Sequence, residues 1–163
     1  MKIYLIGMPG VGKTTIGKLL AEKLNYAFCD LDALIEKNIG QTIPDIFKAK
    51  GEAYFRKLES NALMDLKEAN NLVVSTGGGI VENINNKSLM SGIIIYLSAP
   101  LATLEKRASA TNRPLLRTNS LEDLYRRREN KYYYFAKHII NNENVSSTVT
   151  KIIRRLKNEN FNN

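Results

Sequence analysis

The chain has 163 residues, of which 44% are hydrophobic and 25% charged, with a formal net charge of +8. That length fits one domain, 1–163, with a real core, and no apolar run approaches the roughly 20 residues that would span a bilayer, which excludes a membrane protein. A single cysteine, Cys29, excludes an internal disulfide and a cysteine-rich zinc site; it is expected to be a small buried apolar residue in a reducing compartment.

In chain order, the first element is an apolar strand at 2–6, followed by a helix at 12–24 with Ile16, Leu19, Leu20 and Leu24 on one face. A second strand is expected at 26–29. Thr42-Ile-Pro-Asp45 marks a helix start, with a capping threonine and an acid three residues on. The helical pattern is strongest over 52–69, through Phe55, Leu58, Ala62, Leu63 and Leu66. Strands at 72–75 and 92–97 follow, then helices at 100–107 and 121–136, a weaker strand at 138–140 and a helix at 145–156. Between the helices at 100–107 and 121–136 runs ASATNRPLLRTNS, polar and proline-bearing, read as a mobile loop. The alternation predicts a three-layer α/β/α fold: a central parallel sheet of about five strands, helices on both faces, and binding loops at the carboxyl ends of the strands. There are no internal repeats, and the Asn-rich tail at 158–163 is expected to fray.

Gly7, Pro9 and Gly10 cut the first apolar run short, so no secretory signal is expected and the chain reads as cytoplasmic. Its basic residues are scattered, apart from Arg126-Arg127-Arg128 and the pair Arg154-Arg155, and no aromatic-interleaved RNA motif occurs. The positive charge therefore reads as a pocket for small anions rather than a nucleic-acid surface.

Gly7-Met-Pro-Gly-Val-Gly12-Lys13-Thr14 matches GxxxxGK[ST] in the right context, with a strand before and an amphipathic helix after. Glycines let successive backbone N–H groups close around a phosphate, and the next helix adds its positive end. Lys13 would reach the β- and γ-phosphates and the Thr14 hydroxyl would ligate Mg²⁺, so ATP with Mg²⁺ is the expected co-substrate pair. Asp30 and Asp32 follow the second strand. Asp30 is a candidate for the metal, directly or through water, and Asp32 for accepting a hydroxyl proton; helix capping is the plainer alternative for either. Arg56 and Glu59 lie at i, i+3 on one helix, which by itself is a surface ion pair, and Arg128 by itself is a solvated charge. Three consecutive glycines, Gly77, Gly78 and Gly79, leave backbone bare where a ligand can approach. His138, the only histidine, is expected to sit passively near the last strand.

Taken together, the phosphate loop, Phe28-Cys-Asp30-Leu-Asp32, Ile35-Glu36 with Gly40, GExxFRxxE at 51–59, STGGG at 75–79, RPLL at 113–116 and Arg128 ahead of Tyr132 resemble the shikimate kinase family from residue 3 to about 135. The resemblance implies a P-loop kinase of the nucleoside monophosphate kinase-like group, phosphorylating the 3-hydroxyl of shikimate with ATP in aromatic amino-acid biosynthesis. It implies that Gly10, Val11, Gly12, Lys13, Thr14 and Thr15 hold the nucleotide phosphates and that Asp30 lies in the outer shell of the magnesium. Asp32 would be the base. Arg56 and Arg128 would take the shikimate carboxylate, Gly77, Gly78 and Gly79 would line its pocket, and Glu59 would orient Arg56. The substrate-binding helical region would span about 32–60 and a lid about 109–119. Arg113 in that lid would swing onto the transferring phosphate, and Arg107 would lie against adenine, with Ile139-Ile140-Asn141 as a further adenine loop. Where the family commonly has proline and leucine, this chain has Asn130-Lys131, and Arg126 and Arg127 are close rivals of Arg128. A monomer without nucleic-acid or membrane partners is expected. The alternatives are another small-molecule P-loop kinase such as a gluconate kinase, a GTPase switch, for which the guanine motif NKxD is missing, and a nucleic-acid-stimulated ATPase.

Overall fold

A run of five residues that are all buried, β1 (Lys2–Ile6), forms the centre of the molecule. The computed structural model describes residues 1–109 and 120–160. Five parallel strands lie in the order β2-β3-β1-β4-β5, with β2 at Ala27–Asp30, β3 at Leu72–Ser75, β4 at Ile93–Ser98 and β5 at His138–Asn141. A strand covered on both faces has no reason to alternate, and Ile3 to Ile6 accordingly read as a continuous apolar run with no exposed surface. Lys2 is buried too, its Nζ donating to the carbonyls of Leu66 and Lys67 just beyond the end of a helix.

The connecting helices are α1 (Lys13–Leu24), α2 (Leu31–Ile39), α3 (Ile43–Asp65), the four-residue α4 (Asn86–Leu89), α5 (Leu101–Ser109), α6 (Leu121–Phe135) and α7 (Val145–Asn160). A short 3-10 turn covers Ile80–Glu82. From β1 the chain crosses to the far edge at β2 and then works back, so right-handed crossovers put α1 on one face and α3, α4 and α6 on the other. α7 returns to pack on α1.

Strand boundaries agree with the sequence reading to within a residue. The helix expected at 52–69 is instead the second part of α3, which starts at Thr42, whose side chain accepts from Asp45 N at 3.3 Å, and ends at Asp65. Gly51, at φ 79° and ψ 176°, breaks the helical path inside it. Cys29 is half-buried rather than buried, because β2 is an edge strand.

The connections after β1 and β3 leave in opposite directions, which opens a crevice between the carboxyl ends of these two neighbouring strands. Leu5 and Ser75 are level in the register, and Thr76 N and Oγ1 both donate to Leu5 O, at 3.2 and 3.0 Å. The glycine-rich loop after β1 and the triple glycine after β3 therefore emerge side by side.

Candidate active site

The loop from Gly7 to Gly12 turns the end of β1 into α1. Gly10 and Gly12 hold φ at 82° and 100°, left-handed values that glycine adopts without penalty. As the N-cap of α1, Gly12 offers no side chain, so the first N–H groups of that helix remain for an anion. Lys13 is 9% exposed and curls back over the loop, donating to Gly7 O at 2.8 Å and Met8 O at 3.0 Å. From α5, Arg107 Nη1 reaches Gly10 O at 3.4 Å and Val11 O at 3.3 Å. From beyond β5, the buried Asn142 donates to Val11 O at 2.7 Å and accepts from Thr148 Oγ1 at 2.9 Å. The cradle is thus backbone held from two sides, and Asn142, which directly follows the Ile139-Ile140-Asn141 stretch, is a contact that the sequence reading did not name.

Thr14 Oγ1 donates to Asp30 Oδ2 at 2.9 Å and lies 3.3 Å from Ser75 Oγ. Register explains the meeting: Asp30 pairs with Ser75 across β2 and β3, level with the mouth of the phosphate loop. Asp30 also caps α2, accepting from Ala33 N at 3.3 Å, so capping and a place at the site are compatible. Thr15 lies exposed beside Thr14 on the first turn of α1. Among the described residues no group of three His, Cys, Asp or Glu gathers for a metal. A divalent ion here would rest on the Thr14 hydroxyl, Asp30, water and phosphate oxygens, the sparse protein set that suits Mg²⁺.

A second group of charges lies on the other side of the triple glycine. A Cβ at Gly77 would stand 2.8 Å from Asp32 Oδ1 and 3.0 Å from Glu59 Oε1, and one at Gly79 would fall onto the Arg56 guanidinium. A Cβ at Gly78 would meet Pro9 Cδ at 2.8 Å, so the same loop backs onto the phosphate cradle. With these side chains where they stand, a Cβ at any of the three would displace a neighbour. Arg56 Nη1 pairs with Glu59 Oε2 at 2.7 Å and Nη2 with Glu52 Oε1 at 2.8 Å. Glu59 is wholly buried, on the stripe of α3 that also carries Phe55, Ala62 and Leu63. Burial pushes its carboxyl up to about 7 despite the pull of Arg56. Burial likewise raises Asp32 to about 6, helped by Asp30 and opposed by Lys13 and Arg56. Asp32 Oδ1 and Glu59 Oε1 are both buried without a hydrogen-bond partner among the described residues. Both oxygens lie against Gly77, and a ligand that brings hydroxyl donors would supply the partners they lack.

α6 supplies the remaining cation. Leu121, Leu124, Arg128, Tyr132 and Phe135 are its buried residues, a single helical stripe, so Arg128 points inward while Arg126 and Arg127 are exposed. That spacing is present in the sequence and separates Arg128 from its rivals. Tyr132 stacks on Tyr96 at 4.9 Å and donates to Gly78 O at 2.5 Å, which ties α6 to the glycine loop. Glu82, which carries no motif signal, accepts from Arg128 Nε at 2.7 Å, Arg127 Nη2 at 2.9 Å and Lys131 Nζ at 2.5 Å.

Arg113 and all but the first residue of the expected lid lie outside the described residues. His138 stands away from the site and pairs with Glu159 at 2.7 Å. Among the described residues no helix is long and apolar enough to cross a membrane.

A sequence model of the family described as shikimate kinase matches residues 9–157. The shikimate kinase of Sulfurihydrogenibium sp. (strain YO3AOP1) is 43% identical over 94% of this chain and 98% of its own length. Among solved structures, shikimate kinase from Acinetobacter baumannii in complex with shikimate superposes with a TM-score of 0.90 at 35% identity, covering 97% of this chain and 93% of that one. Shikimate kinase from Aquifex aeolicus gives a TM-score of 0.87 at 36% identity, with 98% of each chain covered. A backbone-built phosphate cradle, an arginine-lined acid pocket beside it and this full-length likeness agree: the chain belongs to the shikimate kinase family of ATP-dependent small-molecule kinases.

Proposed function

We propose that this chain transfers the terminal phosphoryl group of ATP to the 3-hydroxyl of shikimate, releasing shikimate 3-phosphate and ADP, as a monomer. The supporting observation is the triple glycine, whose three absent Cβ atoms leave room for Asp32 and Glu59, for Pro9 and for Arg56 respectively. Cradle and acid pocket would thereby share one wall, the arrangement that a direct transfer between them needs.

Gly10 to Thr15 would receive the ATP phosphates, with Lys13 leaving its carbonyl partners for the β- and γ-phosphates and Arg107 beside the base. Thr14 and Asp30 would hold a magnesium ion, which when bound supplies positive charge to the phosphate oxygens. Arg56 and Arg128 would take the substrate carboxylate in planar two-point contacts, and Glu59 orients Arg56. Asp32 would accept the hydroxyl proton as that oxygen bonds to phosphorus and the bond to ADP breaks. Burial makes it a better base than an exposed aspartate. Arg113, assigned on family likeness, would stabilise charge on the phosphoryl oxygens in transit. The protein contributes chiefly alignment and electrostatic stabilisation, since the loose transition state needs little else.

The test is ADP release measured with shikimate, with gluconate and with neither. Release that depends on shikimate is expected; equal release in all three would sink the proposal.

A further inference from the structure

Three consecutive arginines on α6 present a selection problem. They point about 100° apart, and all carry the same charge and the same fork. Helical periodicity turns Arg128 inward, but a long side chain on the neighbouring position can still reach the same anion. Arg127 and Arg56 border one open groove, together with Glu82.

Glu82 handles Arg127 and Arg128 together. Its Oε1 accepts from Arg127 Nε at 3.1 Å, from Arg127 Nη2 at 2.9 Å and from Arg128 Nε at 2.7 Å, while Oε2 takes Lys131 Nζ at 2.5 Å. Arg127 is therefore held through Nε and Nη2 and drawn toward Glu82. Glu82 holds Arg128 by Nε, which fixes the plane of the guanidinium, and Tyr132 bonds to the same group, so a ligand would meet the terminal N–H groups not turned to Tyr132. Glu59 and Tyr132 face the same guanidinium from α3 and from the next turn of α6.

The anchor point matters as much as the partners. Glu82 ends the 3-10 turn that follows the glycine trio, and its N–H donates to Gly79 O at 2.9 Å. Gly79 is the residue against which the Arg56 guanidinium packs. Through this one stretch of backbone the two arginines, on α3 and α6, are set relative to each other. Burial works against the charge on Glu82, but hydrogen bonds from Lys131 and Arg128 hold its carboxyl down at about 2, so the clamp is ionised throughout the neutral range.

We infer that Glu82 is a positioning residue: by holding Arg127 through Nε and Nη2 and Arg128 through Nε, it favours Arg128 over Arg127 as the arginine that receives the substrate carboxylate. The inference rests on the reading that Arg56 and Arg128 bind that carboxylate.

The experiment measures steady-state kinetics of the full chain and of Glu82→Ala, Glu82→Gln and Glu82→Ala/Arg127→Ala, varying shikimate and ATP separately. For Glu82→Ala, KM for shikimate should rise about tenfold, as for loss of a hydrogen bond to a charged group, while kcat and KM for ATP stay within about twofold. Glutamine keeps an acceptor for Arg128 but not the charge that restrains Arg127 and Lys131, so its KM should fall between. Removing Arg127 as well should recover part of the loss, because the rival is gone. If KM for shikimate is unchanged in Glu82→Gln and Glu82→Ala, or if kcat and both KM values worsen together with no recovery in the double variant, the inference is overturned. Should Glu82→Ala fail to fold, the glutamine variant decides. A parent chain with no shikimate-dependent ADP release would instead overturn the functional reading itself.

Discussion

The phosphate cradle and the acid pocket share a wall but are made of different material. Around the cradle the working groups are backbone N–H and C=O, shaped by left-handed glycines and braced by Asn142 and Arg107. Across the glycine trio the working groups are ionisable side chains, Asp32, Arg56, Glu59, Glu82 and Arg128, drawn from four separate stretches of chain. Backbone dipoles neither titrate nor change with single substitutions, so the cradle is a fixed electrostatic feature. The pocket depends on buried charges balancing one another, and its behaviour should follow pH and mutation closely.

The sharpest way to separate the two sides is Asp32→Asn, which keeps shape and removes the base. Turnover should fall about a thousandfold, within the range for a general base, while KM for ATP is little changed. A coupled assay with both substrates varied checks this, and a fall of less than tenfold would take Asp32 out of that role.

A pH series on the ligand-free chain probes the pocket alone. Glu59 sits at about 7 when folded, above its ordinary 4.5, so the folded state binds more protons between those values. Stability from this group is full below pH 4.5 and lost as pH rises through 7. Glu59→Gln mimics the protonated form, so the stability difference between parent and variant should shift against the parent by ~2 kcal/mol from pH 5 to pH 8. Denaturant melts at the two pH values measure it, and a difference that does not change with pH would mean that Glu59 is not held in this state.

The smallest effect is expected on the cradle side. Asn142→Ala removes the shorter of the two side-chain hydrogen bonds to Val11 O and leaves only Arg107 at 3.3 Å, a loss of ~1 kcal/mol that should raise KM for ATP several-fold with shikimate binding unaffected. An equal rise in both KM values would show that cradle and pocket are not independent.

Much of the molecule is legible in its residues alone. Strand positions follow from continuous apolar runs, and the phosphate loop from a local string whose function needs only its own backbone and the helix behind it. The inward turn of Arg128 is legible in principle, since Leu121, Leu124, Tyr132 and Phe135 mark the stripe on which it lies. Glu59 is another such case, an acid on the apolar stripe of α3. Other features leave no trace in the sequence. Glu82 and Asn142 match no motif, and their partners are 46 and 131 residues away.

Residue order was enough for the alternation of strand and helix and for the cradle for a triphosphate, while the residues proposed for an anionic acid came from the family resemblance. Packing in three dimensions settled which carboxylate holds which arginine, that Asp30 meets Thr14, and that cradle and pocket share the glycine wall. The division has a physical cause: a helix, a strand and a glycine turn are set by neighbours in the chain, whereas charges and close contacts depend on distances in space. Those distances arise from strand order and register, which bring Leu5, Asp30 and Ser75 level although the chain separates them widely.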